Sequence, residues 1–141
     1  MEVSHVRNRL RIAMEGARER AQRRRENAAA AEKGFETFLS IATPVVRQIA
    51  NALKVEGYTF TVFTPERALR LASDRGRDDF IELALGSDAD PPEVVARVSQ
   101  ARGSRTVDTE RRLKPGSPPD AITEEDVLEF FLEALEPWIE R

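Results

Sequence analysis

The sequence predicts an α+β protein: a long N-terminal helical arm, a four- to five-stranded antiparallel meander, and a C-terminal helix packed on the sheet. Three observations carry this. Apolar residues recur at spacings of three and four through residues 2–56. From Tyr58 the pattern switches to alternation, the mark of strands. After the proline-rich connector "KPGSPPDA" the helical spacing returns.

In the first segment Val3, Val6, Leu10, Met14, Ala17 and Ala21 fall on one helical stripe. A seven-residue step continues it as Ala28, Phe35, Ala42 and Ile49, with a companion series Ala31, Phe38, Val45 and Ala52. Only Arg24 interrupts the seam near its middle. Two residues argue for breaks. Gly34 costs about 1 kcal/mol against alanine inside a helix. Pro44 lacks the N–H a helix interior needs, and Thr43 before it suits an N-cap with Pro44 at the first helical position. The expectation is one helix to about residue 41, a kink or restart at Pro44, and an end at Gly57, a natural C-terminal cap.

That reading divides the chain into a helical arm, 1–42, for oligomerisation and a compact α+β domain, 43–141. A forty-residue helix is roughly 60 Å long. A globule of the remaining hundred residues is only about 35 Å across. Part of the helix must then project, unless it breaks near Gly16 or folds back as a hairpin near Asn27. The apolar seam argues for a partner, most simply a second copy in a homodimer. Its expected interface residues are Val3, Val6, Leu10, Met14, Ala17, Ala21, Ala28, Phe35 and Phe38.

The strands follow. "YTFTVF" alternates apolar residues with threonine. "RALRLAS" reads as a strand with Leu69 and Leu71 on one side, although Thr64-Pro65-Glu66 resembles a helix start. "DFIELAL" places Ile81, Leu83 and Leu85 inward. "EVVARVSQA" and "TVDTERRL" form a hairpin across "RGSR", which supplies a glycine for positive φ. In the last helix Thr123 is the expected N-cap, and Glu124, Glu125 and Asp126 suit the positive end of the dipole. Val127, Leu128, Phe131, Leu135, Trp138 and Ile139 form its expected inner face, with Phe130 at the margin.

Composition narrows the function classes. The chain holds no cysteine, which removes disulfides and thiolate metal sites. No apolar run approaches the roughly 18 residues of a membrane span, and the opening "MEVSHVRNRLR" lacks the apolar core of a signal peptide. A cytoplasmic protein without membrane contact is expected. The net charge of −3 hides a segregation. Residues 1–33 hold nine bases and five acids, and residues 123–141 hold seven acids and one base. Opposite ends of the chain therefore attract.

The sequence points away from catalysis, cofactors and bound metal. His5, the only histidine, has no positioned partner nearby. Neither phosphate-binding glycine pattern occurs. The best enzyme candidate is a nuclease-like acidic set, Asp74, Asp78, Asp79 and Glu82, joined by Glu110 and Lys114. Its spacing fits no metal motif, and Arg75 and Arg77 sit among the acids.

Arginine outnumbers lysine nineteen to three. The guanidinium fork suits phosphate, so Arg7, Arg11, Arg18, Arg23, Arg24 and Arg25 are candidate nucleic-acid contacts. They read as spread around the helix, interleaved with Glu15, Glu19 and Glu26. GC-rich coding gives the same arginine bias. The general pattern resembles small bacterial proteins and no named family, so it adds no functional residue. The sequence reading is a non-enzymatic, self-associating interaction module. Nucleic-acid binding is the alternative, and a metal-dependent nuclease the second.

Overall fold

The computed structural model describes residues 1–140. Its first element, α1, is one uninterrupted helix from Val3 to Val55. At 1.5 Å per residue it is roughly 80 Å long. The expected restart at Pro44 does not occur, and the helix runs through the proline. The proline sits on an exposed part of the helix, as does Ser40 four residues before it. The carbonyl that loses its amide partner thus belongs to an exposed residue. Ala42 and Val46 on either side are fully buried and anchor the helix to the core around the proline. Gly34 does not break the helix either. It is buried where the 3₁₀ turn Pro119–Ala121 crosses, and the Asp120 backbone nitrogen lies 3.5 Å from where a Cβ would be.

The end of α1 is the predicted one. Gly57 adopts φ +91°, and Glu56 is the C-cap. Tyr58 N–H donates to the Leu53 carbonyl at 2.8 Å and Gly57 N–H to the Lys54 carbonyl at 3.0 Å. These are the two bonds of a Schellman motif.

Five strands follow: β1 Phe60–Phe63, β2 Ala68–Ser73, β3 Phe80–Leu85, β4 Val94–Arg102 and β5 Arg105–Arg112. They form one antiparallel meander in the order β1-β2-β3-β4-β5. Residues 68–73 are a strand, not the rival helix, because Thr64 to Arg67 make a turn, with Arg67 at φ +59°. In the β4–β5 connection Arg102 pairs with Arg105. Gly103 takes φ +63° at the first of the two linking positions, which a type II′ turn requires.

Register sets the two faces of the sheet. Leu71 pairs with Ile81, Ile81 with Val98, and Leu83 with Ala96. These residues share the inner face. They meet Phe35, Phe38, Ala42, Val46, Val127, Phe130 and Phe131 in one core. The outer face is polar. Arg70 pairs with Glu82 at 2.6 Å, and the Arg70 and Arg97 guanidinium groups lie 4.1 and 5.4 Å from the Phe80 ring centroid, covering it. The β5 edge is exposed along its whole length, and its five charged residues discourage pairing with another strand.

The C-terminal segment is two helices, α2 Glu124–Ala134 and α3 Glu136–Ile139, not the single helix expected. Pro137 has no N–H to donate back to Glu133, so the chain turns at Leu135. Asp79 fixes α3 to the sheet. Its Oδ1 accepts from Ala101 N–H and from Trp138 Nε1–H, each at 3.0 Å. The inner face of α2 also differs from expectation: Phe130 is in the core, whereas Leu128 is only half-buried and Ile139 is exposed.

Candidate functional site

α1 has two parts. From Ala31 onward one face is buried under the sheet and α2. Asn27 Nδ2 donates to Asp90 Oδ1 at 3.1 Å, and Glu32 pairs with Arg67 at 3.2 Å, where the domain begins to cover the helix. Residues 3–26 project for roughly 36 Å. They are exposed apart from the half-buried Gly16 and Ala21.

The predicted interface residues therefore divide. Phe35 and Phe38 stack at 5.6 Å inside the chain's own core, 3% and 0% exposed. Val3, Val6, Leu10 and Met14 are exposed, with Val3 at 69% and Leu10 at 57%. Ala17 and Ala28 are exposed and Ala21 is half-buried. Because the helix is unbroken, these residues form one stripe on the same side as the core residues further along.

The arginines are less scattered than their sequence suggests. Arg7, Arg11, Arg18 and Arg25 stand at spacings of four and seven, so a continuous helix sets them on one face, beside the apolar stripe. Arg23 and Arg24 point elsewhere. Arg11 is held by Glu15 at 3.2 Å and Asn8 at 2.9 Å, and Arg25 by Gln22 at 2.7 Å. Arg7, Arg18, Arg23 and Arg24 have no ion pair among the described residues.

The N-terminus of α1 is poorly finished. Glu2 is the N-cap and makes no side-chain capping bond, and the first turn holds no acid. That contrasts with α2. There Thr123 Oγ1 accepts from Asp126 N–H at 3.1 Å, and Asp126 Oδ2 accepts from Thr123 N–H at 2.9 Å. Lys114 Nζ reaches the same carboxylate at 2.9 Å. The Thr123 backbone bond, then Lys114, holds the Asp126 carboxyl below its ordinary value of 3.8.

A second surface escaped the sequence reading. Between the last three turns of α1 and α2 runs a groove of about 710 Å³. Its floor is Val45, Ile49, Ala52, Leu128, Leu132 and Ile139, and Tyr58 lies at one end. Leu132 is 60% exposed. Its rim carries Glu56, Glu124 and Glu125, and no lysine or arginine among the described residues lines it. The only signal in the sequence was Leu132 itself, an apolar residue four positions after Leu128 and off the predicted inner face.

The acidic set does not converge. Asp74 accepts from Thr61 Oγ1 at 2.7 Å, Asp79 is taken up by Ala101 and Trp138, Glu82 by Arg70, and Lys114 by Asp126. Glu110 lies on β5 opposite Arg97. The Asp78 carbonyl accepts from Ser99 Oγ at 2.6 Å. Among the described residues no three His, Cys, Asp or Glu side chains are grouped to hold a metal ion. His5 lies on the exposed arm. No described helix is long and apolar enough to cross a membrane. No family model matches the chain, and comparisons with curated proteins and with solved structures find no match.

Proposed function

We propose that the protein is a non-enzymatic, cytoplasmic interaction module that self-associates, most simply as a homodimer, through its projecting arm. The observation that carries this reading is the apolar stripe from Val3 to Ala28, left in solvent along a helix that extends past its own domain. Isolated helices in water are marginal, and a two-fold or reciprocal contact buries such a stripe at low cost. Light scattering from low to high micromolar concentration tests it. The expected mass is that of a dimer, falling to a monomer in Leu10→Glu/Met14→Glu with an unchanged far-ultraviolet spectrum of the domain. A wild-type monomer at high micromolar concentration refutes the reading.

A second reading, nucleic-acid binding, is favoured by the row Arg7, Arg11, Arg18 and Arg25 on one face. Contacts to phosphates release counterions, so binding weakens steeply with salt. A duplex or single strand is then bound at 50 mM salt and released when Arg7, Arg11 and Arg18 become glutamine. No binding at that salt removes this reading.

A further inference from the structure

We infer that residues 3–14 of the arm dock in the groove between α1 and α2 of a second copy of this chain. The inference rests on the self-association reading and adds where the arm goes. Size and charge both fit. Residues 3–14 form about 18 Å of helix, and α2, the helix that walls the groove, has eleven residues and spans about 17 Å. The segment holds Arg7, Arg9 and Arg11 and no acid. The groove's rim holds Glu56 on the α1 side and Glu124 and Glu125 on the α2 side, and no base among the described residues. None of these three acids has an ion-pair partner among the described residues.

The faces also correspond. On the arm, Arg7 and Arg11 stand on one side of the stripe of Val3, Val6, Leu10 and Met14, and Arg9 stands on the other. Seating the stripe on Val45, Leu128 and Leu132 brings bases on both flanks against acids on both walls. Acids at the start of α1 would also meet the positive end of its dipole, which no cap or first-turn acid now satisfies. The occupant must come from another copy. Along the uninterrupted helix the middle of the segment lies about 60 Å from Ile49, so a chain cannot fill its own groove.

The absence of cysteine makes the test direct. Two full-length variants, Leu10→Cys and Leu132→Cys, are mixed at low micromolar concentration and oxidised gently. Both positions are more than half exposed, so neither change threatens the core. The expected product is the mixed disulfide, with none between Leu10→Cys and Val107→Cys, which lies on β5. A Leu10–Leu10 product (arm on arm), a Leu132–Leu132 product (groove on groove), or no disulfide between the two variants when the wild-type chain is dimeric overturns the inference and leaves self-association standing. A monomeric wild-type mass removes both. Charge reversal gives an independent reading. Arg7→Glu/Arg11→Glu should weaken association by about tenfold or more, and pairing it with Glu124→Arg/Glu125→Arg should restore it. Failure of the reversed pair to recover counts against the groove.

Discussion

Along one helix, residues 31–53 and residues 3–26 carry similar apolar spacing and meet opposite fates. The later part lays Phe35, Phe38, Ala42 and Val46 against a sheet and is sealed. The earlier part leaves Val3, Leu10 and Met14 exposed among the described residues. Periodicity is therefore a statement about which face is apolar, not about whether that face is covered. Coverage depends on a second element, and the sheet spans only the distance its strands can reach. Residue size separates the two parts as well. The covered part uses two phenylalanines, whose burial contributes about 1.5–3 kcal/mol each. The projecting part uses aliphatic residues and alanine, and draws on helix propensity and exposed pairs such as Arg11–Glu15, each adding only a few tenths of a kcal/mol.

The largest expected effect breaks that comparison at its centre. Phe38→Ala removes a fully buried ring and should lower unfolding stability by about 3–5 kcal/mol in urea denaturation. Leu10→Ala, on the same helix and similarly spaced, should leave the domain's unfolding within about 0.5 kcal/mol and change only the association constant. Comparable losses at the two positions under monomeric conditions would mean that the arm is packed on its own domain in solution.

The ends of the helices sharpen the contrast. α2 begins with a reciprocal cap, and α1 begins with none. Thr123→Ala should cost about 1 kcal/mol. The cap is also pH-dependent. The Asp126 carboxyl titrates below its ordinary range when folded, so its stabilisation is complete above about pH 4 and is lost as the pH falls through the folded value. Asp126→Asn should flatten that part of the acid-stability profile. The start of α1 has no first-turn carboxylate to protonate, so amide exchange at residues 4–8 of the monomer should not follow the same acid transition.

Much of this was legible beforehand. The helix–meander–helix order, the Gly57 stop, the Thr123 cap and the inward set Leu69, Leu71, Ile81 and Leu83 all follow from local rules. Those rules depend on neighbours in sequence. The misreadings came where distant groups decide. Pro44 stays inside a helix because it and Ser40, whose carbonyl loses its partner, are exposed while Ala42 and Val46 beside them are buried in the core. Phe130 is buried, and Leu128 and Ile139 are not, because Arg111 of β5 covers the Phe130 ring whereas Leu128 and Ile139 line the groove, and the chain turns at Pro137. The acids at 74–82 separate because Asp74, Asp79 and Glu82 each answer to a different distant group: Thr61, the Ala101 and Trp138 donors, and Arg70. The groove was invisible for the same reason: its two walls are about seventy residues apart in sequence.

The smallest effect compares one substitution in the two parts of α1. Gly16 and Gly34 both lie inside the helix, and alanine is favoured over glycine there by about 1 kcal/mol. Space permits the change at both. A Cβ at Gly34 would meet the Asp120 backbone nitrogen at 3.5 Å, ordinary contact distance. A Cβ at Gly16 would meet Arg20 Nη1 at 3.2 Å, the far end of a flexible side chain that can move aside. What differs is the transition each glycine belongs to. Gly34 unfolds with the core, so Gly34→Ala should raise the urea midpoint by the equivalent of a few tenths to about 1 kcal/mol. Gly16 lies in a segment that can fray while the core stays folded. Gly16→Ala should therefore leave the midpoint of the monomer unchanged and slow amide exchange only among its neighbours in the arm. Residues 3–26 fold with the core only where a partner covers them, so under dimeric conditions Gly16→Ala should begin to move the global midpoint as well. A shift in the dimer without one in the monomer would show that association couples the two parts of the helix. Equal shifts in both states would mean that the helix is already a single cooperative unit, and the contrast between its halves would then be one of exposure alone.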